Sequence, residues 1–404
     1  MELALPGQII EYDYRPAASD AIGNISAATH TLPIPHPLRV VQWNIERGYQ
    51  LDAVIETLER LDADILCLQE IDICNQRSGN TNHGQIIAER LGLNGGIAIE
   101  FQELASPCRT AAQQGGGLHG NAIYSKYDMR FRVIDHEHQP FNWPQDGSLL
   151  GEPRLGRRCT LVAEVFVPKG PPILAYSAHF ECFTGIVGRA GQLCDLLQDS
   201  RTSVDEFPHQ IIFGDFNTFA HSLARLSPKY AHGWHRFRTF GMTEAEWWIK
   251  YVLSWYAEDG SINRRLEDEG LPPELQFSTK DLRAAVNPGW WEPFDAVKDI
   301  TISNHAGLMT AKADWAFVRQ MKVLKHWMEN RNFAASDHRC LVLEIEHAHK
   351  DILEEHKKYT KQTANELELR RSSRLWTWCS LATAISVSIF AVKLARSSMV
   401  SRLF

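Results

Sequence analysis

No Cys-x-x-Cys pair occurs anywhere in the chain. Its eight cysteines (Cys67, Cys74, Cys108, Cys159, Cys182, Cys194, Cys340 and Cys379) are scattered, several of them inside apolar runs. That pattern reads as free thiols in a reducing compartment and speaks against a cysteine-built metal centre. Basic excess is also missing: a formal net charge of -7 leaves no overall positive field for grasping nucleic acid non-specifically, although a local patch stays open. There is no G-x-G-x-x-G fingerprint, no Walker loop and no internal repeat, so nothing points to dinucleotide binding, a P-loop or a solenoid. Glu2 follows Met1 at once and no sustained apolar run comes after it, so no signal peptide is expected. What remains is a composition of 44% hydrophobic and 23% charged residues, that of a soluble globular protein. Its 404 residues can bury one large core or two ordinary ones.

One long uncharged run stands apart. From Leu375 to Val392 no charge occurs, and these 18 residues as a helix would reach roughly 27 Å, near the thickness of a thin bilayer core. Trp376 and Trp378 lie at one border, with Arg370, Arg371 and Arg374 before them and Lys393 and Arg396 beyond the far end. We expect a single C-terminal transmembrane anchor over 375–392, with a short tail over 393–404. A helix docked on the domain is the bland alternative. With no leader read at the start of the chain, the bulk of the protein is then expected in the cytoplasm.

Along the chain, residues 1–37 read as a loose N-terminal arm and 38–346 as one globular domain. Strand-like runs fall at Leu38–Asn44, Ile65–Leu68, Ile97–Phe101, Asn121–Ser125, Cys159–Val167, Ile173–Ala178, Ile211–Gly214, Asp314–Val318 and Cys340–Ile345. Apolar residues at helical spacing (Leu51, Val54, Ile55, Leu58, Leu61) and a second stretch near Gly84–Leu91 intervene. The alternation predicts a layered α/β domain, and strand-to-strand steps with no helix between them require mixed sheets. Between about 226 and 304 the strand rhythm stops and tryptophans gather (Trp234, Trp247, Trp248, Trp255, Trp290, Trp291). This insertion is expected either to cover one rim of a site or to form a satellite apolar cluster. Residues 347–374 turn highly charged and read as a solvated helical stalk.

Chemistry-bearing residues sit at strand ends. Ile211-Ile212-Phe213-Gly214 runs into Asp215-Phe216-Asn217, and if the chain stays extended there, Asp215 and Asn217 project to one side. Asn44 closes the first strand, Glu70 follows the second, and His179 ends another. Asp314 opens a strand, and Asp337-His338 precedes the last. Each alone is an ordinary cap or turn residue; the ordered set is not. Hard oxygen donors such as Glu70 and Asp337, beside an amide, suit Mg²⁺ better than zinc. A carboxylate and an amide at the open end of a strand can hold a water and a phosphate oxygen.

The pattern WNI…QEID…GNAIYS…SAHF…GDFN…ADW…SDH, spanning about Arg39 to Ile345, resembles the endonuclease/exonuclease/phosphatase superfamily with its deoxyribonuclease-I-like fold. The resemblance implies a four-layer αββα sandwich of two mixed β-sheets with the site at one end. It also implies a Mg²⁺ cofactor, with Mn²⁺ as a substitute. By that resemblance Glu70 is the central metal ligand, with Asn44 and Asp337 beside it. Asp215 orients or deprotonates the water, Asn217 fixes phosphate, and His338 binds phosphoryl oxygens with Asp314 setting its tautomer. His179, where the abasic-site endonuclease branch carries a tyrosine, is similar to the branch of deoxyribonucleases, sphingomyelinases, inositol-polyphosphate phosphatases and deadenylases; there it lies near the leaving group. His119 is read as a loop residue at the rim. The expected substrate is a phosphoester of nucleic acid or of a phospholipid head group, met at the membrane face. A sphingomyelinase- or phosphoinositide-phosphatase-like activity and an inactive membrane-tethered adaptor are the alternatives.

Overall fold

The computed structural model describes residues 5–16, 37–219, 224–231, 237, 241–254, 286–304, 307, 309–348 and 352–370. The expected anchor over 375–392 and Cys379 lie outside them. Among the described residues no helix is long and apolar enough to cross a membrane.

Two sheets carry the fold. The larger has eight strands, in the order β1 (Ile9–Asp13), β4 (Asn94–Glu103), β5 (Leu118–Ser125), β3 (Ile65–Ile73), β2 (Leu38–Asn44), β15 (Cys340–His347), β14 (Met321–Glu329), and β7 (Arg154–Gly156) also pairs with β4. The smaller runs β13 (Asp314–Arg319), β10 (Gln210–Asp215), β9 (Ile173–His179), β8 (Cys159–Phe166), β6 (Asp128–Asp135). A short ribbon of β11 (Ile302–Asn304) and β12 (Met309–Ala311) stands beside them. Both sheets are mixed: β2 and β3 are parallel, as are β9 and β10, and the other pairs are antiparallel.

The strands read as near-continuous apolar runs because both faces are covered. Ile211 and Phe213 point between the sheets, where they meet Val40, Ile65 and Leu343. Ile212, between them, points outward into the layer of α4 (Ile186–Thr202). On the far side, α1 (Leu51–Leu61) and α2 (His83–Leu91) pack Val54, Ile55, Leu58 and Ile87 on the larger sheet. The result is helix, sheet, sheet, helix: the four-layer sandwich.

Three features differ from the sequence reading. Ile9–Asp13, taken as part of a loose arm, is an edge strand on β4; an edge needs only one ladder, so its short, half-polar pattern hides it. His119 is in β5, 2% exposed, and not in a loop. Trp247, Trp248 and Trp290 are buried beneath the smaller sheet with α4, while Trp234 and Trp255 lie outside the described residues. The short helix α3 (Trp143–Asp146) precedes β7; α5 (Glu244–Trp248) opens with a Thr243–Glu246 capping box. The charged segment after β15 forms a helix, α6, over 353–370. One face of it rests on the domain: Leu367 is buried, and Trp291 stacks on His356 at 5.1 Å. The seven described cysteines are free.

Candidate active site

Register alone brings the first three residues together. Asp215 stands opposite His179 on the parallel neighbour β9 and opposite Asp314 on the antiparallel neighbour β13. Residues opposite in register share a face, so His179, Asp215 and Asp314 form a row across three strands at one end of the smaller sheet. Gly214 permits the close approach of β9, since a Cβ there would come 2.3 Å from the Ala178 carbonyl oxygen. The parallel pair β2 and β3 of the other sheet ends at the same place.

The two sheets are clasped there by side chains. Asn44 Nδ2 donates to Asp215 Oδ2 at 3.0 Å and lies 3.3 Å from Glu70 Oε1. Gln42 Nε2 donates to Asp314 Oδ1 at 2.7 Å. His338 Nδ1 donates to Asp314 Oδ2 at 2.8 Å, and its Nε2 lies 3.7 Å from Asp215 Oδ2. His179 Nε2 is 3.5 Å from the same Asp215 oxygen and 4.0 Å from Glu70. Asp337 places Oδ1 3.8 Å from His338 Nε2. Asn44, Glu70, His179, Asp215, Asp314, Asp337 and His338 therefore line one site.

Asn217 differs from the expectation of continued extension. The chain turns there at φ 51, so its backbone N–H donates to Asp215 Oδ1 at 2.9 Å while its side-chain amide donates to the Phe180 carbonyl at 2.9 Å. It braces the aspartate and ties the ends of β9 and β10.

Local backbone distortion delivers two of the carboxylates. The β3–β5 register slips between Leu68 and Ile71, and Glu70 adopts φ 62 in that bulge; bulges beside active sites re-aim side chains in this way. After Asn44 the chain makes a left-handed run at Glu46 (φ 49), Arg47 (φ 58) and Gly48 (φ 66). Non-glycine residues held there are strained, and such strain gathers at functional sites. The turn is fastened at both ends: Glu46 N–H donates to Asn44 Oδ1, and Glu46 Oε2 accepts from the Asp337 N–H, each at 3.0 Å.

Sequence reasoning missed Glu46, Arg47 and Gln42. Glu46 stands two residues past Asn44, the spacing that singles out Asp215 and Asn217, and that was the available signal. Arg47 lies with Nε 3.6 Å from Glu70 Oε2; nothing in its sequence context marks it. Gln42 sits inside an apolar strand, where a lone amide has no pattern to betray it.

Electrostatics sort these groups. Burial pushes the Glu46 carboxyl up to about 7, with the Asp337 carboxylate adding to the effect. Asp337 is raised by burial against the opposing pull of His338. Asp215 is pushed up to about 6 by burial, against the His338 charge. Burial would raise Glu70 as well, but the Arg47 guanidinium overrides it and the group stays below its ordinary value. Burial would lower His338; Asp314, Asp215 and Asp337 outweigh it and keep the ring protonated. His179 is held well below its ordinary value by burial and the Arg158 charge, so it is neutral.

Mutual crowding of Glu46, Glu70 and Asp337 is what a bound cation would relieve, and their all-oxygen donor set with Asn44 fits a hard divalent ion. Asp215, Asp314 and His338 also bring possible ligand atoms within 4.8 Å of one another. A buried carboxylate at a base's position, a protonated imidazole and a cation-ready oxygen cluster are the parts that phosphoryl chemistry requires. The sequence model of the Endonuclease/Exonuclease/phosphatase family matches residues 41–338.

The chain belongs to that family. Its members are hydrolytic phosphoesterases that depend on a divalent metal. Solved structures similar to this chain include an endonuclease/exonuclease/phosphatase from Beutenbergia cavernae, 16% identical over 78% of this chain and 72% of that one, with a TM-score of 0.40. The human Nocturnin catalytic domain is 17% identical, covering 85% and 99%, at 0.40. An AP endonuclease from Archaeoglobus fulgidus is 14% identical, covering 76% and 99%, at 0.40. No curated protein sequence matches the chain.

Proposed function

We propose that the chain is a Mg²⁺-dependent phosphodiesterase or phosphatase that attacks phosphorus in line with an activated water. The single observation that carries this is the convergence of Asn44 at the end of β2, Glu70 in the β3 bulge and His338 before β15 on one Asp215 oxygen and its surroundings. Asn44, Glu46, Glu70 and Asp337 would hold the ion, which when bound supplies charge neutralisation at the phosphoryl oxygens. Asp215 takes the proton of the attacking water; Asn44 and the Asn217 N–H fix both its oxygens for that purpose. His338, kept charged and oriented by Asp314, donates Nε2–H to a phosphoryl oxygen. His179, neutral and beside Asp215, faces the leaving group.

The full chain should hydrolyse a generic aryl phosphodiester with Mg²⁺ and stop when chelator is added. Asp215→Ala and Glu70→Ala should each abolish turnover; activity surviving either change removes the mechanism, and a wild type inert in every assay favours the adaptor. For the substrate, the uncharged 375–392 segment favours a bilayer-borne head group, because a tethered site meets such substrates at high effective concentration. Single-stranded RNA, DNA, sphingomyelin and phosphoinositides compared side by side decide this. Membrane anchoring by 375–392, with the domain on the cytoplasmic face, is part of the same proposal. Carbonate extraction should leave the full chain in the membrane pellet, and release into the supernatant rejects it.

A further inference from the structure

Beside the catalytic row a second donor cluster is built by two irregularities. The β4–β5 register slips between Ile99 and Phe101, making Glu100 the extra residue of a bulge. Gly120 allows it, since a Cβ there would come 2.0 Å from the Ala98 carbonyl oxygen. Next to that glycine, His119 stands directly opposite Asp72 on β3. One oxygen of Glu100, one ring nitrogen of His119 and one of His179 lie within 4.8 Å of one another, all buried.

We propose that Glu100, His119 and His179 form a second cation site, suited to a borderline transition ion such as Zn²⁺, and that filling it inhibits hydrolysis by drawing His179 from its working position. The inhibition rests on His179 acting in the reaction as proposed above; the site itself does not.

The donor set separates it from the first site. Two imidazoles and a carboxylate are a zinc set, whereas the Glu70 cluster offers oxygen alone. Each ligand is pre-oriented. His119 Nδ1 donates to Asp72 Oδ1 at 2.8 Å, which leaves Nε2 with its lone pair. A carboxylate behind a histidine is the usual support of a metal-bound imidazole. Asp72 is itself fixed by Arg77 at 2.8 and 2.9 Å. On His179, Nε2 faces the carboxylates of Asp215 and Glu70 and so carries the proton. Nδ1 is left as a bare acceptor, buried and without a hydrogen-bond partner among the described residues.

Glu100 gives one oxygen to Arg158 at 2.9 Å, and among the described residues the other has only a 3.4 Å contact with the Cys159 N–H. Arg158 opposes a cation, but its charge is shared between Glu100 and Glu181, the latter at 3.8 Å. Bonds of 2.0–2.1 Å in a tetrahedral site place ligands about 3.3 Å apart. The trio must therefore close by up to about 1.5 Å, and that closure moves the His179 ring.

The test is Co²⁺ titration of the chelator-stripped full chain in excess Mg²⁺, read by visible absorption. One equivalent should give the strong d–d bands of a low-coordinate imidazole site, displaced by Zn²⁺. His119→Gln should weaken that binding at least about tenfold and relieve Zn²⁺ inhibition of aryl phosphodiester hydrolysis. Because His119→Gln also removes the bond to Asp72, X-ray absorption on the zinc-loaded wild type supplies a check without a variant: two imidazoles in the coordination shell are expected. Oxygen-only coordination, or Co²⁺ bands unchanged in a folded His119→Gln protein, overturns the site. Co²⁺ binding through His119 in a protein inert toward phosphodiesters would instead sink the hydrolase reading and leave the site standing.

Discussion

The charge on His338 depends on three carboxylates, and one of them also fixes the orientation of its ring. Asp314 takes the Nδ1–H and is itself held by Gln42 and by Thr301 Oγ1, which accepts from the Ala313 and Asp314 N–H groups at 2.9 Å each. An asparagine at 314 keeps the shape but removes the charge facing Nδ1–H and can turn its own N–H against it, so the ring loses both its charge and its orientation. Asp314→Asn should therefore lower kcat by roughly 10²–10⁴ with KM little changed. Gln42→Ala removes one bond to a charged acceptor, worth roughly 1.5 kcal/mol, so a loss of about tenfold is expected. Steady-state kinetics on an aryl phosphodiester check both, and equal losses in the two variants would show that Asp314 is not the ring's orienting partner.

At the scale of elements, β4, β7, the turn after β3 and the loop after β4 are stitched by buried charge. Glu103 at the end of β4 pairs with Arg77 at 3.1 Å, with Arg109, and with Arg154 at 3.5 Å, all essentially without solvent. Burial alone would raise this carboxyl, yet Arg154 and Arg77 hold it well below its ordinary value of 4.5. A folded-state value depressed in this way stabilises the fold fully above about 4.5, and the contribution fades as pH falls below that. Glu103→Gln takes the shared carboxylate away from three buried guanidiniums and leaves Arg109 without an acidic partner among the described residues, so a loss of about 3–5 kcal/mol is expected at neutral pH. Urea midpoints measured from pH 7 down to pH 3 should converge for wild type and variant. A constant gap across that range would assign the stabilisation to packing instead.

The whole molecule adds a docked helix to the sandwich. Composition made 347–374 read as a solvated stalk, because charged residues dominate the count. Seated on Trp291 through His356 and Tyr359, and closed by Leu367 and a Lys250–Glu368 ion pair, α6 instead shields part of the apolar layer below the smaller sheet. Leu367→Asp puts a charge into that layer and should release α6. Limited proteolysis should then cut within 353–370 far faster than in wild type, while the sheets stay folded by circular dichroism. Unchanged protection would mean that the helix is held from elsewhere.

The sequence by itself determined the layered, mixed-sheet class and the order of site residues along the chain. Apolar periods of two and 3.6 are local properties, and so is the habit of placing Asn44, His179 and Asp215 where strands end. Only the tertiary structure decided what those ends face. Strand register put His179, Asp215 and Asp314 in one row. Two bulges aimed Glu70 and Glu100 inward, and a left-handed turn carried Glu46 back to Asp337. Such features arise from pairing between segments distant in the chain, where one extra residue reverses the face a side chain takes. Local pattern therefore could not reveal Gln42 or the Glu100–His119 pair, and for Glu46 it offered only the spacing from Asn44.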